Sequence, residues 1–132
     1  MARILIVDDE ENIRLGLRSI LEQADLGITA IHACTDGEEA FSYLQREPAD
    51  LIIADIRMPK MDGLQLARKL RHELHSLCPV IFLSGHDDFD YAVRAIQAEA
   101  SAYLLKPVDI PELIETVGGA LRKIHPDRLL YE

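Results

Sequence analysis

The sequence predicts an α/β fold in which helices cover an open parallel β-sheet. Short aliphatic runs recur along the chain, amphipathic segments separate them, and three of the runs lead directly into charged residues. This alternation is typical of repeated strand–helix units. The five predicted strands span residues 3–7, 29–33, 51–54, 80–83 and 102–105.

The first predicted helix follows the strand at residues 3–7. Its apolar face consists of residues at helical spacing, namely Ile13, Leu17, Ile20, Leu21 and Ala24. The opposite face is polar and includes Arg14, Arg18 and Glu22. Leu15 lies outside the apolar stripe, so it is either a partner contact or an ordinary exposed leucine.

Turn and capping residues mark the second and third helices. Asp36 is the predicted N-cap of the second helix, and the glutamates that follow it suit the first helical turn. Pro59 and the Asp62-Gly63 pair predict a turn between the third strand and a helix over residues 64–74. The loop after the third strand is therefore expected to be ordered.

A fourth helix is predicted over residues 88–98, and a fifth begins after Asp109. Asp109 is the expected cap of the fifth helix, with Pro111 in its first turn and Glu112 three residues after the cap. The Gly118-Gly119 pair weakens this helix, because each glycine costs about 1 kcal/mol relative to alanine in a helix interior. Close packing and local fraying are both compatible with the pair.

Composition limits the functions that the chain can have. It has 132 residues, 48% of them hydrophobic, which predicts one domain with its own core. A formal net charge of -9 disfavours binding to DNA or to an anionic membrane. Cys34 and Cys78 lack zinc-like spacing and are interpreted as reduced thiols. Neither a signal peptide nor a run of about 20 apolar residues is visible, which favours a cytoplasmic location.

Charged residues at the strand ends predict the functional site. Asp8 and Asp9 follow the first strand, Asp55 follows the third and Lys106 follows the fifth. The carboxyl ends of parallel strands share one edge of the sheet, where open α/β folds bind ligands. Carboxylates that repel each other at this edge either have raised pKa values or bind a cation. A set of oxygen ligands favours Mg²⁺ over zinc.

Phosphoryl transfer is the chemistry that this arrangement suggests. With Mg²⁺ and Lys106 neutralising the site, Asp55 could attack a phosphoryl group and form an aspartyl phosphate. Ser84, at the end of the fourth strand, could hydrogen-bond the phosphoryl oxygens. Taken singly, the aspartates could be helix caps, Lys106 a solvated charge and Ser84 a turn residue. Their joint arrangement favours the functional interpretation.

Five motifs of the chain resemble the receiver domain of bacterial two-component response regulators. They are Val7-Asp8-Asp9-Glu10, Asp55-Ile56-Arg57-Met58-Pro59, Met61-Asp62-Gly63, Ser84-Gly85 and Lys106-Pro107. The spacing of five separate motifs is much more specific than any one of them. The resemblance covers residues 1–125 and leaves residues 126–132 as a tail or the start of a linker to an effector domain absent from this chain. It implies a flavodoxin-like (βα)5 doubly wound parallel sheet with strand order 2-1-3-4-5.

The resemblance implies roles for the charged residues. Asp55 is the implied phosphoacceptor for a histidine kinase. Mg²⁺ would be held by Asp9, Asp55 and the backbone carbonyl of Arg57, with Asp8 acting through water. Lys106 would pair with the phosphoryl oxygens.

The resemblance also implies a switch and positions that tune its lifetime. In receivers, the residue that matches Ser84 moves toward the phosphoryl group while an aromatic on the fifth strand, here Tyr103, reorients; Tyr103 could instead be a core residue. Arg57 and His86 match positions that tune hydrolysis of the acyl phosphate, although either could be a plain surface side chain. The peptide bond before Pro107 is usually cis in this family.

The implied partners are a histidine kinase and an effector domain. The stretch over residues 84–92 is similar to receivers that precede AraC-type helix-turn-helix domains, which implies transcriptional output from beyond this chain. A homodimer through the predicted fourth helix, fifth strand and fifth helix is a further family-level expectation.

Two other functions remain open beside the receiver. One is a phosphorylation-independent interaction module, and the other is a phosphohydrolase that uses an aspartyl phosphate. Haloacid dehalogenase-like phosphatases carry an Asp-x-Asp pair, whereas Arg57 occupies the second acidic position here. The chain is therefore expected to be a signalling domain that assists its own phosphorylation and dephosphorylation, not an enzyme.

Overall fold

The computed structural model describes residues 2–85 and 102–124 of the chain. Its strands are β1 (Ala2–Val7), β2 (Ile28–Cys34), β3 (Leu51–Asp55), β4 (Val80–Ser84) and β5 (Ala102–Leu105). They form one parallel sheet in the order β2-β1-β3-β4-β5. All five predicted strands and the predicted flavodoxin-like strand order are confirmed, with strand ends that differ by at most one residue.

Four helices accompany the sheet within these ranges. They are α1 (Glu11–Gln23), α2 (Gly37–Leu44), α3 (Gly63–His72) and the C-terminal helix (Ile110–Ile124). None of them is long and apolar enough to cross a membrane. The predicted fourth helix at residues 88–98, the tail at residues 126–132 and His86 lie outside the described residues.

Side chains cap the helices where the sequence predicted. Asp36 accepts a hydrogen bond from the Glu39 N–H at 2.9 Å and begins α2. Asp109 accepts one from the Glu112 N–H at 2.9 Å and begins the C-terminal helix. The third helix was predicted to reach residue 74, but it ends at His72.

The sheet has an apolar core on each face, because successive side chains of a strand point to opposite sides. Leu5 and Val7 of β1 belong to one core, which α2 and α3 cover. Ile4 and Ile6 belong to the other, which α1 and the C-terminal helix cover. The sheet is thus doubly wound, and its carboxyl edge lies between the two helical layers.

The remaining sequence expectations about packing have clear outcomes. Cys34 and Cys78 are free thiols, and burial raises the pKa of each to about 12, so both stay protonated at neutral pH. Leu15 is exposed, as its position outside the apolar stripe of α1 predicted. The C-terminal helix runs unbroken through Gly118-Gly119, and Gly118 is buried against Leu26. Close packing at Gly118, not fraying, therefore accounts for that glycine.

Candidate functional site

The carboxyl edge of the sheet carries the charged residues that the strand ends predicted. Asp8 directly follows β1, and Asp55 ends the adjacent β3. Ser84 ends β4, and Lys106 directly follows the adjacent β5. The parallel register of four neighbouring strands therefore brings these side chains to one place.

The ammonium of Lys106 lies among three carboxylates. Its Nζ donates a hydrogen bond to Asp55 Oδ2 at 2.9 Å and lies 3.0 Å from Asp8 Oδ2 and 3.6 Å from Glu10 Oε1. Asp8 and Asp55 are buried, whereas Glu10 is exposed. One partly buried positive charge thus links the ends of β1, β3 and β5.

The turn between β1 and α1 orients the two aspartates differently. Asp8 Oδ1 accepts a hydrogen bond from the Glu10 N–H at 2.9 Å, which holds this carboxylate inside the site. Arg14 Nη1 donates to the backbone carbonyl of Asp8 at 2.7 Å. Asp9, the next residue, is exposed at the rim. The sequence placed Arg14 on the polar face of α1, but its side chain reaches back and fixes this turn.

The electrostatics of the site favour an additional cation. Burial raises the pKa of Asp8, and the charge of Asp55 adds to this rise. Burial also raises the pKa of Asp55, against the opposing effect of Lys106. Burial alone would lower the pKa of Lys106, but its close contacts with the Asp55 and Asp8 carboxylates prevail and raise that pKa above its usual value. A permanent ammonium therefore stands beside carboxylates that are costly to ionise together.

The donor set fits a metal ion. Asp8, Asp9, Glu10 and Asp55 each offer a carboxylate oxygen, and these oxygens all lie within 4.8 Å of one another. One ammonium among four carboxylates leaves an excess of negative charge, which a hard divalent cation would neutralise. Oxygen ligands of this kind suit magnesium, calcium or manganese and do not suit the softer metals.

The loop between β3 and α3, residues 56–62, closes the site on one side. The Arg57 N–H donates to Asp55 Oδ1 at 3.2 Å, so the start of the loop contacts the Asp55 carboxylate. A capping box between Asp62 and Gln65, with hydrogen bonds of 2.8 and 2.9 Å, begins α3. The Gly63 N–H donates to the carbonyl of Ile56 at 2.9 Å and ties the two ends of the loop together.

Ser84 presents a buried hydroxyl at the end of β4. Its Oγ has no hydrogen-bond partner in the part of the chain that the structure describes, whereas its carbonyl accepts the Lys106 N–H at 2.8 Å. A buried hydroxyl without a protein partner is unusual, and this one is free to hydrogen-bond a group bound at the edge of the sheet. The peptide bond between Lys106 and Pro107 is cis.

The remaining predicted residues lie at or beyond the rim. Tyr103 is 41% exposed, so it is not a core residue in this structure. Arg57 is exposed at the start of the β3–α3 loop.

Two residues of the site were not predicted from the sequence. The Asp8-Asp9-Glu10 run could have indicated Glu10. No local sequence pattern predicts that Arg14 donates a hydrogen bond to the β1–α1 turn.

Comparison with known proteins agrees with this geometry. The family model of the response regulator receiver domain matches residues 4–118. The transcriptional regulatory protein HptR of Staphylococcus aureus is 40% identical over 124 residues, which cover 94% of this chain and 48% of that protein. An uncharacterized response regulatory protein of Staphylococcus epidermidis is 41% identical over 113 residues, 86% of this chain and 44% of its own length. The chain therefore spans about half the length of these relatives.

Solved structures share the fold. The REC domain of AraT, a response regulator from Geobacillus stearothermophilus, has a TM-score of 0.86 at 35% identity and covers 96% of this chain and 98% of its own. A two component transcriptional regulator AraC from Clostridium phytofermentans has a TM-score of 0.85 at 32% identity, with coverage of 97% and 98%. Sheet order, site geometry and both comparisons agree, and the chain belongs to the response regulator receiver domain family.

Proposed function

We propose that this chain is the phosphoacceptor part of a longer response regulator, and that Asp55 receives a phosphoryl group from a histidine kinase. The observation that carries the proposal is the contact of Lys106 with both Asp55, at 2.9 Å, and Asp8, at 3.0 Å. It sets a nucleophilic carboxylate beside a permanent positive charge, at the edge where ligands of open α/β sheets bind.

Asp55 would attack the phosphorus atom of a phosphohistidine. A bond forms between a carboxylate oxygen and phosphorus, the bond from phosphorus to the imidazole nitrogen breaks, and its electron pair leaves with the imidazole. Lys106 would neutralise charge on the equatorial phosphoryl oxygens, and the Ser84 hydroxyl would donate to one of them. Both groups already lie at the end of neighbouring strands, so little reorganisation is needed.

Mg²⁺ is the proposed cofactor. Asp9, Asp55 and the backbone carbonyl of Arg57 would hold the ion, with Asp8 acting through water. The ion would neutralise phosphoryl charge when bound, and it typically keeps several waters and takes one or two carboxylates. The exposed position of Asp9 and the ion pair of the buried Asp8 with Lys106 support these roles.

The switch is proposed to use Ser84 and Tyr103. Movement of the Ser84 hydroxyl toward the phosphoryl group would leave space that an inward Tyr103 ring fills. The present outward Tyr103, 41% exposed, then corresponds to the inactive form. Tyr103 and Leu105 leave an exposed apolar surface on β5 beside the C-terminal helix, which supports a homodimer through the predicted fourth helix, β5 and this helix.

The output is proposed to be transcriptional, through an effector domain that follows the linker at residues 126–132. The relatives named as transcriptional regulators are about twice as long as this chain, and one similar structure carries the name of an AraC regulator. The acidic chain itself is expected not to bind DNA, because its net charge is -9. A gel shift of promoter DNA by this chain alone would contradict the proposal that DNA binding belongs to the effector domain.

Intact mass spectrometry tests the phosphoacceptor. The chain is incubated with phosphoramidate and Mg²⁺, beside Asp55→Asn, a sample with EDTA, and Asp25→Asn as a matched change of an exposed aspartate. We expect one phosphoryl adduct in the wild type and in Asp25→Asn, and none in Asp55→Asn or with EDTA. Decay of the adduct after removal of the donor gives its lifetime, which Arg57→Ala and His86→Ala should change if these residues control access of water.

Other outcomes of the same experiment favour the alternatives. Absence of an adduct with several donors would favour a phosphorylation-independent interaction module. Steady hydrolysis of phosphate monoesters without an accumulated adduct would favour a phosphohydrolase. An adduct that persists in Asp55→Asn would assign the phosphoacceptor to another residue.

A further inference from the structure

The first residue of α2 contacts the loop that closes the site. The Gly37 N–H donates a hydrogen bond to the backbone carbonyl of Met61 at 3.1 Å. This N–H lies in the first turn of a helix, where the backbone donors have no partner within the helix. A helix that does not itself reach the site is thus attached to the β3–α3 loop.

Gly37 has no space for a side chain at this contact. A Cβ atom would lie 2.7 Å from Met61 Cβ and 2.9 Å from the Met61 carbonyl carbon, and it would overlap the carbonyl oxygen. Backbone atoms form most of this contact, so rotation of a flexible side chain cannot relieve it. By contrast, a Cβ on Gly16 in α1 would meet nothing within 4 Å.

The loop is constrained at other points as well. Lys60 adopts a positive φ of 67°, which is strained for a residue with a side chain, and its Nζ lies 3.8 Å from the buried cap Asp36. Gly63 would bring a Cβ within 2.5 Å of the Asp55 carbonyl, so the end of the loop rests on the phosphoacceptor itself. The hydrogen bond from the Gly63 N–H to the Ile56 carbonyl, at 2.9 Å, joins this end of the loop to the residue that precedes Arg57.

We propose that Gly37 is a positioning residue for metal binding: its contact with Met61 holds the β3–α3 loop in the conformation that presents the Arg57 carbonyl to the ion. The inference rests on the proposed function, because it concerns the proposed Mg²⁺ ligand. The coupling must be reciprocal, so bound Mg²⁺ must also strengthen the contact between Gly37 and Met61.

The first test compares Gly37→Ala with Gly16→Ala, which adds the same methyl group where there is space. We expect Gly37→Ala to raise the Kd for Mg²⁺ in titration calorimetry by about fivefold, the low end of ordinary coupling between sites. Phosphorylation by phosphoramidate should slow at low Mg²⁺ and recover at saturating Mg²⁺. Gly16→Ala should match the wild type in both measurements. A merely structural role would lower the free energy of unfolding but leave the Kd of the folded protein unchanged.

The second test uses the wild type and does not depend on how well the variant folds. Hydrogen exchange of the Gly37 amide is measured without Mg²⁺ and at saturation. We expect its protection to rise about fivefold, as reciprocity requires. The amide of the exposed neighbour Glu38 serves as the reference. Unchanged protection at Gly37 would overturn the proposal, as would an unchanged Kd in folded Gly37→Ala.

Failure of this inference differs from failure of the proposed function. A wild type that binds Mg²⁺ and accepts a phosphoryl group, beside a Gly37→Ala variant that does both equally well, removes the role of Gly37 alone. A wild type that does neither overturns both proposals.

Discussion

Asp8 lies in an environment that is unfavourable to its charge. Its carboxylate is fully buried, and Oδ2 contacts the Lys106 ammonium at 3.0 Å but has no aligned hydrogen-bond donor in the described residues. Burial and the neighbouring Asp55 charge raise its pKa, so the ionised form is destabilised in the folded state. Residues of this kind are retained at functional sites at a cost in stability.

Asp8→Asn should therefore stabilise the metal-free protein. We expect its free energy of unfolding in urea with EDTA to exceed that of the wild type by about 1 kcal/mol at pH 7, a usual gain for relief of such strain. Since the pKa of Asp8 is raised above its ordinary value of 3.8, protonation removes the penalty from the wild type as the pH falls toward that value. The advantage of Asp8→Asn should shrink accordingly. Asp25→Asn is the control, and a variant less stable than the wild type at pH 7 would contradict the prediction.

Sequence patterns predicted the site residues that follow strands and missed those that act from a distance. Asp8, Asp55 and Lys106 directly follow or end aliphatic runs, so knowing the strands is enough to bring them together. Arg14 and Gly37 act through backbone carbonyls of other segments, at 2.7 and 3.1 Å. Such contacts depend on how helices pack on the loops, which hydrophobic periodicity does not encode.

At the scale of elements, the strands were easier to predict than the helix ends. β3 is buried at every position, so its sequence is a continuous aliphatic run between polar segments. α3 was predicted to run to about Leu74, and the Leu74 side chain does pack against the core. The helix ends earlier, since His75 adopts a positive φ of 50° and the Ser76 N–H donates to the Leu70 carbonyl. Glycine or asparagine usually marks such an end, and histidine does not.

The two adjacent glycines of the C-terminal helix should respond differently to alanine. Gly119→Ala adds a Cβ that meets only Arg122 Nη2 at 3.9 Å, so we expect it to raise the free energy of unfolding by about 1 kcal/mol through helix propensity. Gly118→Ala brings its Cβ to 3.3 Å from Leu26 Cδ2, and the crowding should cancel that gain or reverse it. Urea unfolding of both variants provides the measurement. Equal gains would show that Leu26 does not restrict Gly118.

At the scale of the whole molecule, the acidic site adds to a chain that already carries a net charge of -9. Apolar cores cover both faces of the sheet. A change of charge at one edge is therefore not expected to detach the helices from the sheet. Ion binding should therefore act on the stability of the folded domain as a unit, through mass action. The fold was predictable at this scale because both the alternation of elements and the resemblance point to the same sheet.

Mg²⁺ should raise the melting temperature of the wild type. At a free Mg²⁺ concentration of 100 times the Kd, binding to the folded state alone stabilises it by about 2.7 kcal/mol. Thermal unfolding in MgCl₂ is compared with NaCl of equal ionic strength, which screens charge without filling the site. In Asp9→Asn, most of the difference in melting temperature between the two salts should disappear. Identical melting curves in the two salts would show that the acidic cluster does not bind the ion.

The sharing of one ammonium by Asp55 and Asp8 has a consequence for ion balance. A phosphoryl group on Asp55 would bring about 1.5 to 2 negative charges. Among the described residues, Lys106 is the cation that contacts the Asp8 and Asp55 carboxylates. The Lys106 ammonium could contact a phosphoryl oxygen only by giving up part of its contact with these carboxylates. In the proposed function the compensating charge would come from the bound divalent cation, so phosphorylation of Asp55 and cation binding would stabilise each other. At a fixed concentration of phosphodonor, the phosphorylated fraction of this domain should then rise with the concentration of free divalent cation.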